Sequence, residues 1–186
     1  MCVIRFREAC EVTSLALTLL TWGIALSYGT HSWNVLRMAT WWVMAIQLLY
    51  FFSAIVLSGK RAYLRELRHV GRLLSVMMCT VFWLVFFYDR ELIMPRAMRH
   101  VFGLNFLQHF LPPVLFMMAP DGEERRPKFV YSVLVTLAYF AVVLAWYAAR
   151  GSWPYLFMHG LTIKSFQALV CFSLLGIWGI HKLISQ

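Results

Sequence analysis

Six stretches of this chain run about as long and as apolar as a bilayer crossing, and only short polar links separate them. They fall at roughly 12–28, 35–58, 73–88, 101–119, 129–149 and 160–180. A helix needs about 20 apolar residues to span the hydrocarbon core. In that medium every backbone polar group must find its partner within the segment or in a closed barrel, and runs of this length select helices. The reading is therefore an all-α polytopic membrane bundle of about six transmembrane helices, with residues 1–186 forming one domain. Composition agrees: 61% of residues are hydrophobic and 13% charged, where soluble domains carry about 25% charged.

The net charge of +9 would suggest nucleic acid in a soluble protein. Here the basic residues lie between apolar runs, so lipid headgroups and topology explain them, and no nucleic-acid partner is expected. Arg5, Arg7, Lys60, Arg61, Arg65, Arg68, Arg72, Arg125, Arg126, Lys128 and Lys182 fall on one side. Arg37, Arg90, Arg96, Arg99, Arg150 and Lys164 fall on the other. The positive-inside rule then places both termini in the cytoplasm. Cys79 and Cys171 read as small apolar residues within spans, while Cys2 and Cys10 flank the first span as candidates for palmitoylation. There is no nucleophile elbow, zinc pair or phosphate loop, and no second mid-span histidine to face His109 across a haem. No metal or cofactor is expected.

The fourth stretch carries the group least at home in a membrane. His109 lies near its middle, and an ionisable residue in hydrocarbon usually faces a bundle interior or a water-filled cavity. Pro112 and Pro113 offer no N–H to the carbonyls of Gln108 and His109, so a kink is expected beside the imidazole. His109 is then either a functional group or a packing histidine bonded to a neighbouring helix. His31, His69, His100, His159 and His181 fall at or beyond span ends, where a solvated histidine is the ordinary expectation.

Spans two and four have the same parity and enter the membrane from the same face. Thr40 and His109 then lie at depths of roughly 8 and 12 Å at ~1.5 Å per residue. A hydroxyl nucleophile needs a base within hydrogen-bond reach and a third group to orient it. Thr40 is the candidate nucleophile and His109 the base. Asn105, one turn before His109, is placed to hold the imidazole tautomer or to donate to an oxyanion. Thr18, Thr21, Ser53, Thr80 and Thr136 are also available, and a membrane threonine ordinarily bonds its own helix backbone. Arg37, on the face of Thr40 and nearer the interface, is placed to receive a substrate carboxylate or to snorkel outward.

Several of these residues form a pattern. Phe82-Trp83, the run Tyr88-Asp89-Arg90-Glu91-Leu92-Ile93-Met94-Pro95, then Leu104-Asn105, His109 and the proline after it, resemble the androgen-induced and androgen-dependent transmembrane protein family. So does Gly151-Ser152-Trp153-Pro154-Tyr155. The resemblance runs from about residue 33 to the last span, and 82–113 is its specific part. It implies a multi-pass hydrolase that uses a threonine and a histidine to cleave fatty acid esters of hydroxy fatty acids. The substrate implied is a lipid ester with a free carboxylate, acting within the membrane and without a cofactor. In the family pattern Leu-Asn-x-x-x-His the histidine falls on His109. The threonine falls on Thr40, followed by Ile46-Gln47. Phe106 stands where the family pattern has a second histidine, and the spacing from Trp33 to Thr40 is longer than in that pattern. The alternative is a non-catalytic multi-pass protein of the same fold that binds or transports lipid or regulates a membrane partner.

Overall fold

The computed structural model describes residues 12–20, 23, 39–56, 61–89, 102–118, 128–155 and 158–184. Among these, every long element is helical: α1 at 12–20, α2 Ala39–Val56, α3 Arg61–Tyr88, α4 Phe102–Met118, α5 Phe129–Arg150 and α6 Ile163–Ile184. Helices α2, α3, α5 and α6 are each long and apolar enough to cross a membrane. The 17 residues of α4 rise about 26 Å, close to the ~30 Å of a hydrocarbon core. Pro112 and Pro113 stand inside α4 without ending it.

Helix α3 is the hub, with α2, α4, α5 and α6 all packed on it. It also begins far earlier than the apolar run suggests. The sequence reading starts the third span near 73 and treats 60–72 as a basic loop, yet from Arg61 onward that segment is helix. The reason is an apolar stripe threaded through the charges. Leu64, Leu67, Gly71 and Leu74 recur at three- and four-residue spacing, and Leu64 and Leu74 are buried. With 28 residues, α3 is about 42 Å long, so its basic end reaches past the hydrocarbon into the headgroup layer.

At that end Tyr50, Phe51 and Ala54 of α2 pack with Leu64 of α3 and Leu115 and Phe116 of α4. Phe51 stacks on Phe116 with centroids 6.0 Å apart. The Phe116 ring lies directly over Gly71, where a side chain would have no room. Beside it, Arg72 Nε donates to the Phe116 carbonyl at 2.8 Å. A helix's last turn lacks intrahelical donors, so an arginine of α3 closes the end of α4.

His69 departs from the expectation of a solvated histidine. It is 4% exposed, and its Nε2 lies 2.8 Å from Nδ1 of His181 on α6. One of the two rings must be neutral to accept that bond. The ring is buried because the helix continues through this segment and packs against α6.

The middle of the bundle is filled by Val43, Val70, Leu73, Leu74, Met78 and Ile177. At the far end the 151–162 turn folds back onto the helices. Gly151, at φ 68°, closes α5 and donates its N–H to the Tyr147 carbonyl; its left-handed backbone suits a residue without Cβ. Trp153 then sits between Tyr147 and Phe166, at centroid distances of 4.1 and 4.9 Å. Its indole N–H donates to the Leu161 carbonyl at 3.0 Å.

Candidate active site

On α2 the buried residues Met44, Gln47, Phe51 and Ala54 form one stripe. Thr40 is the next position up that stripe and is half-buried near the start of the described helix. On α4 the corresponding stripe is His109, Pro112 and Phe116, all buried. The Phe51–Phe116 stack joins the two stripes and makes the helices parallel neighbours. Thr40 precedes Phe51 by eleven residues and His109 precedes Phe116 by seven. Those offsets correspond to about 16 and 10 Å along the axes, a difference of about one turn.

The His109 ring lies flat on Phe82 of α3, with centroids 3.5 Å apart and planes 14° from parallel. The residue is 8% exposed, and its Nδ1 has no hydrogen-bond partner. Buried polar atoms in folded proteins are nearly always paired, so an orphan of this kind needs a reason. Two further orphans, Gln47 Nε2 on the Thr40 stripe and Ser132 Oγ on α5, are buried in the same bundle. Among the described residues no hydrogen bond joins Thr40 to His109, and their offsets from the Phe51–Phe116 stack leave them about one turn apart along the bundle.

Three of the other hydroxyls bond their own helices. Thr18, Thr80 and Thr136 each donate to the carbonyl four residues back on their own helix, at 2.7, 2.9 and 2.8 Å. That is the ordinary fate of a hydroxyl in a membrane helix. Ser53 is buried in the last turn of α2, far from His109. Thr21 and Arg37 lie outside the described residues. Asn105 belongs to α4 on the same face as His109, and its side chain also lies outside the described residues. Phe106 is 39% exposed, with its ring against Trp83 of α3 and Phe110.

A hydrogen-bonded phenol pair stands beside the start of α2. The backbone N–H of Ala39 donates to the Tyr155 hydroxyl at 2.6 Å, and the Tyr139 hydroxyl donates to the same oxygen at 3.0 Å. Trp42 meets the Tyr139 ring edge-on at 5.9 Å. The 151–162 turn and α5 thus both reach the start of α2. The signal was present, since Tyr155 ends the Gly151-Ser152-Trp153-Pro154-Tyr155 motif. Among the described residues no group of three or more His, Cys, Asp or Glu side chains is gathered as a metal site.

Fold and site together define an integral membrane protein: a polytopic all-helical bundle with a buried histidine inside it. Over residues 2–186 the chain matches the family model of FAR-17a/AIG1-like proteins. It belongs to that family, the androgen-induced gene 1 family. No curated protein and no solved structure matches the chain.

Proposed function

We propose that this protein is an intramembrane lipid ester hydrolase that cleaves fatty acid esters of hydroxy fatty acids, with Thr40 as nucleophile and His109 as general base. The observation that carries the reading is the His109 ring, buried inside the bundle against Phe82 of α3 and left with an unpartnered Nδ1. A substrate with two acyl chains, an internal ester and one carboxylate would lie in one leaflet with its charge at the headgroups. Arg37 is proposed to hold that carboxylate, and Asn105 to orient the imidazole.

Thr40 Oγ attacks the ester carbonyl carbon while its proton passes to a ring nitrogen of His109. The carbonyl π pair moves onto oxygen. Collapse of that intermediate breaks the bond to the hydroxy fatty acid, whose alkoxide takes the proton from the imidazolium. The remaining acyl-Thr40 is cleaved by water that gives its proton to the same ring, releasing the fatty acid and restoring the hydroxyl. The one-turn offset between Thr40 and His109 must close when substrate binds, and catalytic hydrogen bonds are commonly long before it does.

The test is hydrolysis of such an ester by membranes containing matched amounts of wild type, Thr40→Ala and His109→Ala. Both variants should lose activity, and a fluorophosphonate probe should label wild type but not Thr40→Ala. Full activity in either variant would refute the dyad. The absence of a Thr40–His109 hydrogen bond among the described residues favours a second reading, a lipid-binding or regulatory protein without turnover, which predicts no labelling of wild type.

A further inference from the structure

An acyl-transfer centre needs more than a nucleophile and a base, because charge builds on the ester oxygen as the tetrahedral intermediate forms. In water-poor surroundings a fixed donor aimed at that oxygen is often the largest single contribution to rate, worth about 10²–10³ in kcat per donor. The phenol pair at the start of α2 has the chemistry and the position for this task. We propose that Tyr155 donates its hydroxyl proton in a hydrogen bond to the oxyanion formed at Thr40, and that Tyr139 is the residue that positions it. This inference rests on the acyl-transfer reading of Thr40 and His109.

Three elements converge on the Tyr155 oxygen. It accepts the Ala39 N–H of α2 at 2.6 Å and the Tyr139 hydroxyl of α5 at 3.0 Å, while Tyr155 itself hangs from the turn whose Trp153 is clamped between Tyr147 and Phe166. Ala39 is the residue next to Thr40, and consecutive Cα atoms are about 3.8 Å apart. Hydrogen bonds accepted by a hydroxyl oxygen polarise it and strengthen its own O–H as a donor. The two bonds that Tyr155 accepts therefore favour donation to a developing anion.

Depth argues against an ordinary interfacial pair. Tyrosine is common in the aromatic belts at membrane surfaces. Tyr139, however, lies eleven residues before the Arg150 end of α5, about 16 Å inward at ~1.5 Å per residue. That is below the headgroups, where an interfacial tyrosine would not lie.

The experiment uses the full chain in membranes, with a fatty acid ester of a hydroxy fatty acid as substrate and a fluorophosphonate as probe. Tyr155→Phe keeps the ring and removes only the hydroxyl. It should lower kcat about 100-fold with KM within about twofold, since a donor to the oxyanion acts in the transition state, and it should slow probe labelling. Tyr139→Phe should cause a smaller loss in kcat with the same KM pattern. Replacing Tyr155 by 3-fluorotyrosine, nearly isosteric but with a more acidic hydroxyl, should change kcat while leaving thermal unfolding unmoved.

A Tyr155→Phe variant with kcat within about threefold of wild type would overturn the assignment. So would loss of activity in step with loss of thermal stability, combined with a fluorotyrosine rate equal to wild type, because that pattern belongs to a structural bond. If wild type fails to hydrolyse the ester, or Thr40→Ala and His109→Ala retain activity, the hydrolase reading fails and takes this inference with it. If those two variants are inactive and Tyr155→Phe is not impaired, only the phenol assignment falls.

Discussion

Gly71→Ala adds one methyl group to the most crowded contact in the bundle. A Cβ built there lies 2.7 Å from Cε2 of Phe116 and nearer still to Cζ and Cε1. Carbon atoms in ordinary contact sit about 3.5–4.0 Å apart, so the ring or the helix must retreat by at least about 1 Å. Phe116 has little room to do so. It is fully buried and held against Phe51 at 6.0 Å and Tyr50 at 5.8 Å. Its own carbonyl is tied to Arg72. Overpacking a well-filled site typically costs about 1–3 kcal/mol, and the rigidity here puts Gly71→Ala toward the upper part of that range. Thermal unfolding of the purified protein in detergent would measure it. Phe116→Leu in the same background should restore part of the loss, because the smaller side chain vacates the space the methyl needs; the non-additivity of the pair isolates the contact. An alanine variant as stable as wild type would show that α3 and α4 do not approach as described.

Two further perturbations test the same end of the bundle. Arg72→Met keeps the length of the side chain but removes the donor to the Phe116 carbonyl; leaving that buried acceptor unpaired should cost about 1–3 kcal/mol in the same unfolding assay, and no change would refute the capping role. For His69 and His181, which share a 2.8 Å bond between α3 and α6, each single leucine variant should destabilise. The double variant should cost less than the sum of the two singles, with a coupling of about 0.5–1.5 kcal/mol, and strict additivity would show that the two rings do not support one another.

The fold class was legible because hydrocarbon permits so few solutions: apolar runs of span length must be helices, and four of the described helices are long and apolar enough to cross. Helix boundaries were not legible to the same degree. Hydropathy averages over all faces of a helix, so the charges of Arg65, Arg68 and Arg72 hid the stripe of Leu64, Leu67, Gly71 and Leu74. The start of α3 and the burial of His69 went unseen with it. His109 stood out because a mid-span ionisable group is rare. Thr40 could be picked from its rivals only by resemblance, because spacing cannot tell a hydroxyl bonded to its own backbone from one directed at a partner helix. Thr18, Thr80 and Thr136 bond their own helices, and the choice of Thr40 still rests on the resemblance. The phenol pair was invisible for another reason: Tyr139 and Tyr155 meet Ala39 only after the 151–162 turn folds back, a long-range event that no local pattern encodes.

The proposed centre depends on contacts far from it. Helix α4 is registered on α3 at two points, Phe116 over Gly71 at one end and His109 against Phe82 at the other. Helix α4 runs between them through Pro112 and Pro113, which lack the N–H groups for the carbonyls of Gln108 and His109, so a shift forced at Gly71 bears on the imidazole through that proline pair. Helix α2 is likewise registered twice, by Phe51 on Phe116 and by Ala39 on Tyr155. Phe116 is common to both registers, so the relative height of Thr40 and His109 is set largely by one ring at the opposite end of the bundle. A reacting pair tolerates displacements of only about 1 Å before rates fall by orders of magnitude. The retreat that Gly71→Ala demands is of that size, so its effect on ester hydrolysis should exceed its effect on stability, although residue 71 lies about 16 Å along α3 from Phe82, where His109 rests.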